Sequence, residues 1–300
     1  MESQQIEAAA AAALEMMKVL DITSQSSKRT RESCDDRPEV VSGNDQTVDW
    51  LADLDKVEET LRYKFKNKKL LEEAFTHASF SDKCFSYERL EYVGDSVLNL
   101  VLTKEQFFMY PDLPPGALTR LRSANVNTEK LARVAVKHQL HRYLRHKKPL
   151  LEEQIREFSQ AILEYPLHSN GLVDVPKALA DIVEAAIGAV FIDCNFSIET
   201  VWKTFKDLLE PIITQETMRL HPVTELYEAC QKRNLKLRFV DLWEEHMTFD
   251  VLIDDQFMGR GIYGPKKEIA HNRAANDALN NIEKVFGKKD SCSDEFDSIN

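Results

Sequence analysis

The sequence predicts two unlike domains in tandem: an all-α domain over residues 49–215, and a small α+β module of α-β-β-β-α order over residues 221–287. Three observations carry this. Between Leu51 and Glu216 apolar residues recur at helical spacing and strand-like alternation is nearly absent. Past His221 the period switches to alternation in three short runs, with a helical pattern on either side. The 300 residues are 43% hydrophobic and 30% charged, which suits ordinary cores and excludes wholesale disorder or a fibrous repeat.

Residues 1–48 are rich in Ala, Ser, Asp and Glu, and beyond a short helical-looking stretch, Ala8–Leu20, they hold no sustained apolar period. They read as a mostly disordered arm. Lys28-Arg29-Thr30-Arg31 in this arm is at most a fragment of a nuclear signal, a pattern that also arises by chance. Eight amphipathic helices then follow: Leu51–Leu61, Lys68–His77, Tyr87–Met109, Leu118–Val126, Thr128–Lys137, Glu152–Leu163, Val175–Asp193 and Ile198–Glu216. Asn67, the turn from Pro111 to Gly116 and Gly171 supply the stops.

The module opens with a helix at Val223–Lys232 and continues through strands at Leu235–Leu242, Met247–Ile253 and Gln256–Ile262. An Ala-rich helix, Lys267–Phe286, closes it, and residues 288–300 form a disordered acidic tail. About 65 residues of this order can build an independent two-layer unit.

Five scattered cysteines with no C-x-x-C pair argue against a zinc ribbon or a disulfide scaffold and for a reducing compartment. Neither a signal peptide nor an apolar run of membrane-spanning length is present, so an intracellular protein, nuclear or cytoplasmic, without a membrane partner is expected. The net charge of -11 runs against the basic footprint of a nucleic-acid binder. Divided by segment the objection weakens, because residues 1–48 carry -4 and residues 288–300 carry -2.

Glu88, Glu91 and Asp95 stand at i, i+3 and i+7, so they fall within about 60° of one helix face. Asp181 and Glu184 repeat the i, i+3 spacing inside Ala178-Leu179-Ala180-Asp181-Ile182-Val183-Glu184-Ala185-Ala186-Ile187. Acids on such helices are ordinarily solvated or paired with bases, here Arg89 and nearby lysines. Yet both helices are apolar nearly all round, and converging carboxylates in such surroundings need protons, bases or cations. An all-oxygen set suits Mg²⁺, with Mn²⁺ as a substitute. A di-iron site of the ferritin type is excluded, since it needs Glu-x-x-His and the i+3 positions here are Glu91 and Glu184.

Glu88-Arg89-Leu90-Glu91-Tyr92-Val93-Gly94-Asp95-Ser96 resembles the signature of the ribonuclease III family. Leu61–Asn67, Ala74–Ser79, Gly116–Arg122 and Ala180–Ala185 resemble flanking segments of the same domain. The resemblance spans roughly residues 52–215 and implies an all-α ribonuclease III endonuclease domain. It also implies that Glu91, Asp95, Asp181 and Glu184 bind Mg²⁺, with Asp95 and Glu184 most directly catalytic and Glu88 as a supporting acid. The implied reaction is hydrolysis of double-stranded RNA by water activated at the metal, leaving 5′-phosphomonoesters. Because the chain has one catalytic domain, a homodimer is implied. Pro115 departs from the family pattern at a position where many members carry an acid.

From Leu118 to Lys148 nine Lys and Arg face a single acid, Glu129, which makes a basic run on an acidic protein and a rail for an RNA backbone. Arg120 and Arg122 are the candidates in it closest to the Gly116 turn. In the module Gly259-Arg260-Gly261-Ile262-Tyr263-Gly264 spells G-x-G-x-x-G, but no parallel βαβ unit surrounds it, so dinucleotide binding is excluded. The module instead resembles a double-stranded RNA-binding domain, which reads A-form shape. The resemblance assigns Thr224 and Glu228 to a minor groove, and Lys266 and Lys267 to phosphates. Glu268 and His271 stand where further basic residues are expected, and residues 221–287 carry a net charge of -2, so weak duplex binding by the module is predicted. Tight binding of the isolated module in a gel-shift titration at moderate salt would refute this. Two non-catalytic readings compete: a double-stranded-RNA-binding or ribosome-associated scaffold that keeps the fold, and a helical interaction protein whose acids merely pair with bases.

Overall fold

The computed structural model describes residues 44–80 and 85–286. The arm up to Gly43 with its Ala8–Leu20 stretch and basic cluster, the tail from Gly287, and Cys34, Cys84 and Cys292 lie outside the described residues. The chain divides into two units, residues 1–51 and 52–300. Of the first, the described part is the opening of helix α1 (Asn44–Leu61). Residues 44–48, assigned from sequence to the arm, are therefore helical.

The second unit continues with α2 (Lys68–Ala74), α3 (Glu88–Met109), α4 (Pro115–Val126) and α5 (Thr128–Lys137), and then α6 (Leu151–Ala161), α7 (Lys177–Asp193) and α8 (Ile198–Phe205). The organising element is α7. Its sequence is apolar almost all round, and Leu179, Ile182, Val183, Ala186, Ile187 and Val190 are fully buried. Helices α2, α3, α5 and α8 pack around it. The pair α3 and α7 touch backbone to backbone. A Cβ added to Gly94 would lie 1.8 Å from the carbonyl oxygen of Glu184, and one on Gly188 would lie 2.2 Å from that of Leu90. Only glycine at both positions permits this approach.

The ends of these elements are set by local bonds. Asn67, expected as a stop, instead caps α2 by accepting from the Lys69 amide. Asp193 closes α7 and binds the segment before α2, accepting from the Tyr63 hydroxyl at 2.8 Å and from the amides of Lys66 and Asn67 at 3.0 and 2.8 Å. Helix α2 stops at Ala74 rather than His77, because the backbone at Phe75–His77 exchanges hydrogen bonds with Arg145.

The largest departure from expectation is at Ile198–Glu216, where α8 ends at Phe205. Side chains from α4 and α5 capture the backbone beyond it. The Lys130 ammonium donates to the carbonyls of Leu209 and Pro211 at 2.6 and 2.5 Å, Lys137 donates to that of Glu210, and buried Asn125 bonds both the amide and the carbonyl of Ile213. Pro211 offers no N–H to a helix ladder. Turns and irregular backbone whose polar groups are satisfied this way replace the continuous helix.

The C-terminal elements are α9 (Pro222–Lys232), β1 (Leu237–Leu242), the short α10 (Trp243–His246), β2 (Thr248–Ile253), β3 (Gln256–Ile262) and α11 (Lys267–Phe286). The strands form an antiparallel meander in the order β1-β2-β3, with Leu237 opposite Ile253 and Thr248 opposite Ile262. The helices cover one face over a core that includes Leu226, Val251, Ile253, Met258, Ala274 and Ile282. Gly259 and Gly261 let β3 lie directly on α11. A Cβ there would lie 2.5 Å from the Ala278 amide nitrogen and 2.0 Å from the Ala270 carbonyl oxygen, respectively. The G-x-G of this segment thus serves helix–strand packing. Among the described residues no helix is long and apolar enough to cross a membrane.

Candidate active site

The crossing of α3 and α7 at Gly94 and Gly188 sets the acids of one helix against those of the other. Glu91, Asp181 and Glu184 each offer a carboxylate oxygen within 4.8 Å of the others. They line a cleft of about 340 Å³ together with Glu88, Tyr92, Asp95, Thr128, Lys177 and Ala180. Asp95 lines the same cleft without entering the closest cluster, and its Oδ1 accepts from the Asn99 amide at 2.9 Å. Glu88 lies at the rim, where its carboxylate accepts from the Ser86 hydroxyl at 2.9 Å.

Electrostatics single out Glu184. Burial raises its pKa first, and the neighbouring charges of Asp95, Asp181 and Glu91 push it further, to about 8, against the opposing pull of Lys177. Without a cation the cluster therefore keeps a proton at neutral pH. A donor set made only of carboxylate oxygens, with more acids than the one nearby ammonium of Lys177 balances, fits a hard divalent ion.

Two groups absent from the sequence-based reading complete the arrangement. Lys177 bridges the two helices, donating to Glu91 Oε1 at 2.7 Å and to Asp181 Oδ1 at 2.5 Å. Burial alone would lower its pKa, but the bonds to Asp181 and Glu91 outweigh that and raise it. Tyr87 is buried, and its hydroxyl donates to the other oxygen of Asp181, Oδ2, at 3.0 Å. Burial, then the charge of Asp181, raises the tyrosine pKa, so the group stays a donor. The spacing of Lys177 and Asp181, i and i+4 on one helix, was a legible signal for the first contact. Tyr87 opened the helix read from the sequence, but nothing local marked its contact with a residue 94 positions away.

Part of the basic run from Leu118 to Lys148 is engaged within the domain. Lys130 and Lys137 hold the 209–211 carbonyls, Arg133 pairs with buried Glu129 at 2.7 Å, and Arg145 bonds Glu72 at 3.0 Å. Arg122 reaches Thr103 at 3.5 Å, and Arg120 lines a larger cleft of about 940 Å³. That cleft also contains Thr128 and Lys177, so it opens onto the acidic one.

In the module Thr224 and Lys266 line the same larger cleft, Glu228 is half-exposed beside Lys232, and Lys267 pairs with Asp241 at 2.5 Å. The His271 ring lies against those of Phe239 and Phe249, with centroids 4.2 and 5.1 Å away. Burial, followed by the charge of His221, lowers its pKa, so it brings no cation at neutral pH.

Residues 88–195 match the model of the ribonuclease III domain. Ribonuclease 3-like protein 3 of Oryza sativa subsp. japonica is 49% identical over 253 residues, spanning 81% of this chain and 85% of that protein. Ribonuclease 3-like protein 2 of the same species is 43% identical over 76% of this chain and 74% of that protein. The nuclease domain of ribonuclease III from Campylobacter jejuni is similar at 31% identity and a TM-score of 0.41, covering 53% of this chain and 97% of that one. The chain belongs to the ribonuclease III family of endoribonucleases.

Proposed function

We propose that this chain hydrolyses double-stranded RNA with the help of a divalent cation, Mg²⁺ or Mn²⁺, held by Glu91, Asp95, Asp181 and Glu184. The observation that carries the reading is the convergence of Glu91, Asp181 and Glu184 within 4.8 Å on two crossed helices. A bound cation supplies activation of water and charge stabilisation at the leaving oxygen. The protein's part is positional. Tyr87 and Lys177 each hold one oxygen of Asp181, and Glu184 would give up its proton to serve as a ligand to a cation. Asp95, close enough to raise the Glu184 pKa, would complete the set if its carboxylate turned from Asn99.

In this reading residues 49–215 are the catalytic domain and 221–287 the double-stranded RNA-binding domain, with Thr224, Glu228, Lys266, Lys267, Arg120 and Arg122 as contacts. The domain binds weakly, because Lys267 is paired internally and His271 is stacked. A homodimer through the catalytic domain is supported by exposed Tyr92, Leu100 and Phe107, which lie within about 80° of each other around α3. The products carry 5′-phosphates, and the role is in RNA processing inside the cell. Retention of all four acids favours catalysis over a silent scaffold. The test is incubation of the full chain with long duplex RNA in Mg²⁺ or in chelator. Cleavage in Mg²⁺ and none in chelator is expected, whereas intact RNA in both conditions sinks the reading.

A further inference from the structure

The segment leading into α7 is also the seat of the C-terminal module. Asp174, three residues before Lys177 and seven before Asp181, takes the Lys266 ammonium on Oδ1 at 2.5 Å and the Tyr263 hydroxyl on Oδ2 at 3.3 Å. The buried Asn272 amide donates to the Gly171 carbonyl at 3.0 Å, and Arg273 Nε donates to that of Leu172 at 3.1 Å. Gly171 sits at φ +86, and a Cβ there would lie 2.6 Å from Asn272 Nδ2 and 3.0 Å from His221 Nε2. The contact is therefore close. These links are hydrogen bonds, and the Lys266–Asp174 ion pair among them is partly open to solvent, with Asp174 26% and Lys266 54% exposed. Contacts of this kind release when a stronger competitor arrives.

The groups engaged are the ones an RNA duplex needs. Lys266 is occupied by a carboxylate, which offers it the same charge and the same acceptor atoms as a phosphate. Thr224 faces the cleft between the module and the helical domain. A module docked in this way cannot present Lys266 to RNA.

We propose that Asp174 is a specificity-determining residue: its carboxylate takes the place of an RNA phosphate on Lys266 and keeps the module docked, so duplex RNA gains that lysine only by displacing it. Substrates long enough to reach both the acidic cleft and the module offset the undocking, and short duplexes do not. The proposal rests on the reading of residues 221–287 as a duplex-binding module.

The test uses the full chain, Asp174→Asn and Lys266→Gln. Small-angle scattering without RNA reports docking, and fluorescence anisotropy with a duplex of roughly 30 base pairs in chelator reports binding without cleavage. Asp174→Asn is expected to enlarge the radius of gyration, tighten binding roughly two- to fivefold, the weight of one partly exposed ion pair, and steepen the salt slope by about one. Lys266→Gln is expected to expand the molecule equally without tightening binding. Unchanged affinity in Asp174→Asn overturns the proposal whatever the scattering shows. Tighter binding without expansion also overturns it, since Asp174 would then merely repel phosphate. So does tightening by Lys266→Gln. Failure of the endonuclease reading appears separately, as absence of cleavage by the wild type in Mg²⁺.

Discussion

The Tyr87 hydroxyl donates to Asp181 Oδ2 at 3.0 Å while Lys177 holds Oδ1 at 2.5 Å, so both oxygens of one cluster acid are fixed by neighbours that are not acids. The Tyr87 ring is itself held by edge contact with His77 at 5.6 Å. Removing only the hydroxyl frees the carboxylate to rotate. Tyr87→Phe is expected to weaken cation binding roughly tenfold, the usual scale for partners that orient a ligand. Mn²⁺ titration followed by electron paramagnetic resonance in the absence of RNA checks this, and the melting temperature should move little by comparison.

Asp95→Asn and Glu184→Gln are each expected to abolish cleavage while leaving the proposed dimer intact, as read by duplex-RNA digestion and sedimentation. Wild-type digestion rates in either variant would contradict the assignment. Glu184 adds a pH signature in chelator. Its folded pKa, about 8, exceeds the usual 4.5, so between these values the folded state holds a proton that the unfolded state has lost. Stability therefore falls as pH rises through that window. The glutamine variant should lose this fall, and added Mg²⁺ should offset it in the wild type.

Asp193 behaves in the opposite sense. Burial alone would raise its pKa, but the amides of Lys66 and Asn67 and the Tyr63 hydroxyl hold it below the usual 3.8. Its contribution is present above pH 3.8 and lost as pH drops through the lower folded value. Asp193→Ala leaves those donors unpaired and is expected to cost about 2 to 3 kcal/mol in urea denaturation.

Gly94→Ala would drive a methyl group to 1.8 Å from the Glu184 carbonyl oxygen, where backbone rather than a movable side chain must give way. A loss of about 3 kcal/mol in stability is expected. Cleavage should fall far more than that loss explains, because the same shift parts Glu91 from Asp181 and Glu184. Melting curves together with cleavage rates below the transition separate the two effects.

Local pattern determined much of this protein. The 3.6 and 2.0 periods place the helices and the three strands, since they record which side of each element is apolar, and the i, i+3 spacing placed each pair of acids on one helix face. Spacing along a helix says nothing about what another helix brings to it. The tertiary structure decided that Gly94 and Gly188 let two backbones meet, that three acids then share one site, and that Tyr87 and Lys177 hold Asp181. It also turned the basic run into framework at Lys130, Lys137, Arg133 and Arg145, and replaced the predicted helix after Phe205 with turns and irregular backbone. The physical reason is the same in each case. Backbone and ionic groups taken from water must find partners, and those partners come from chain distant in sequence, where no local period records them.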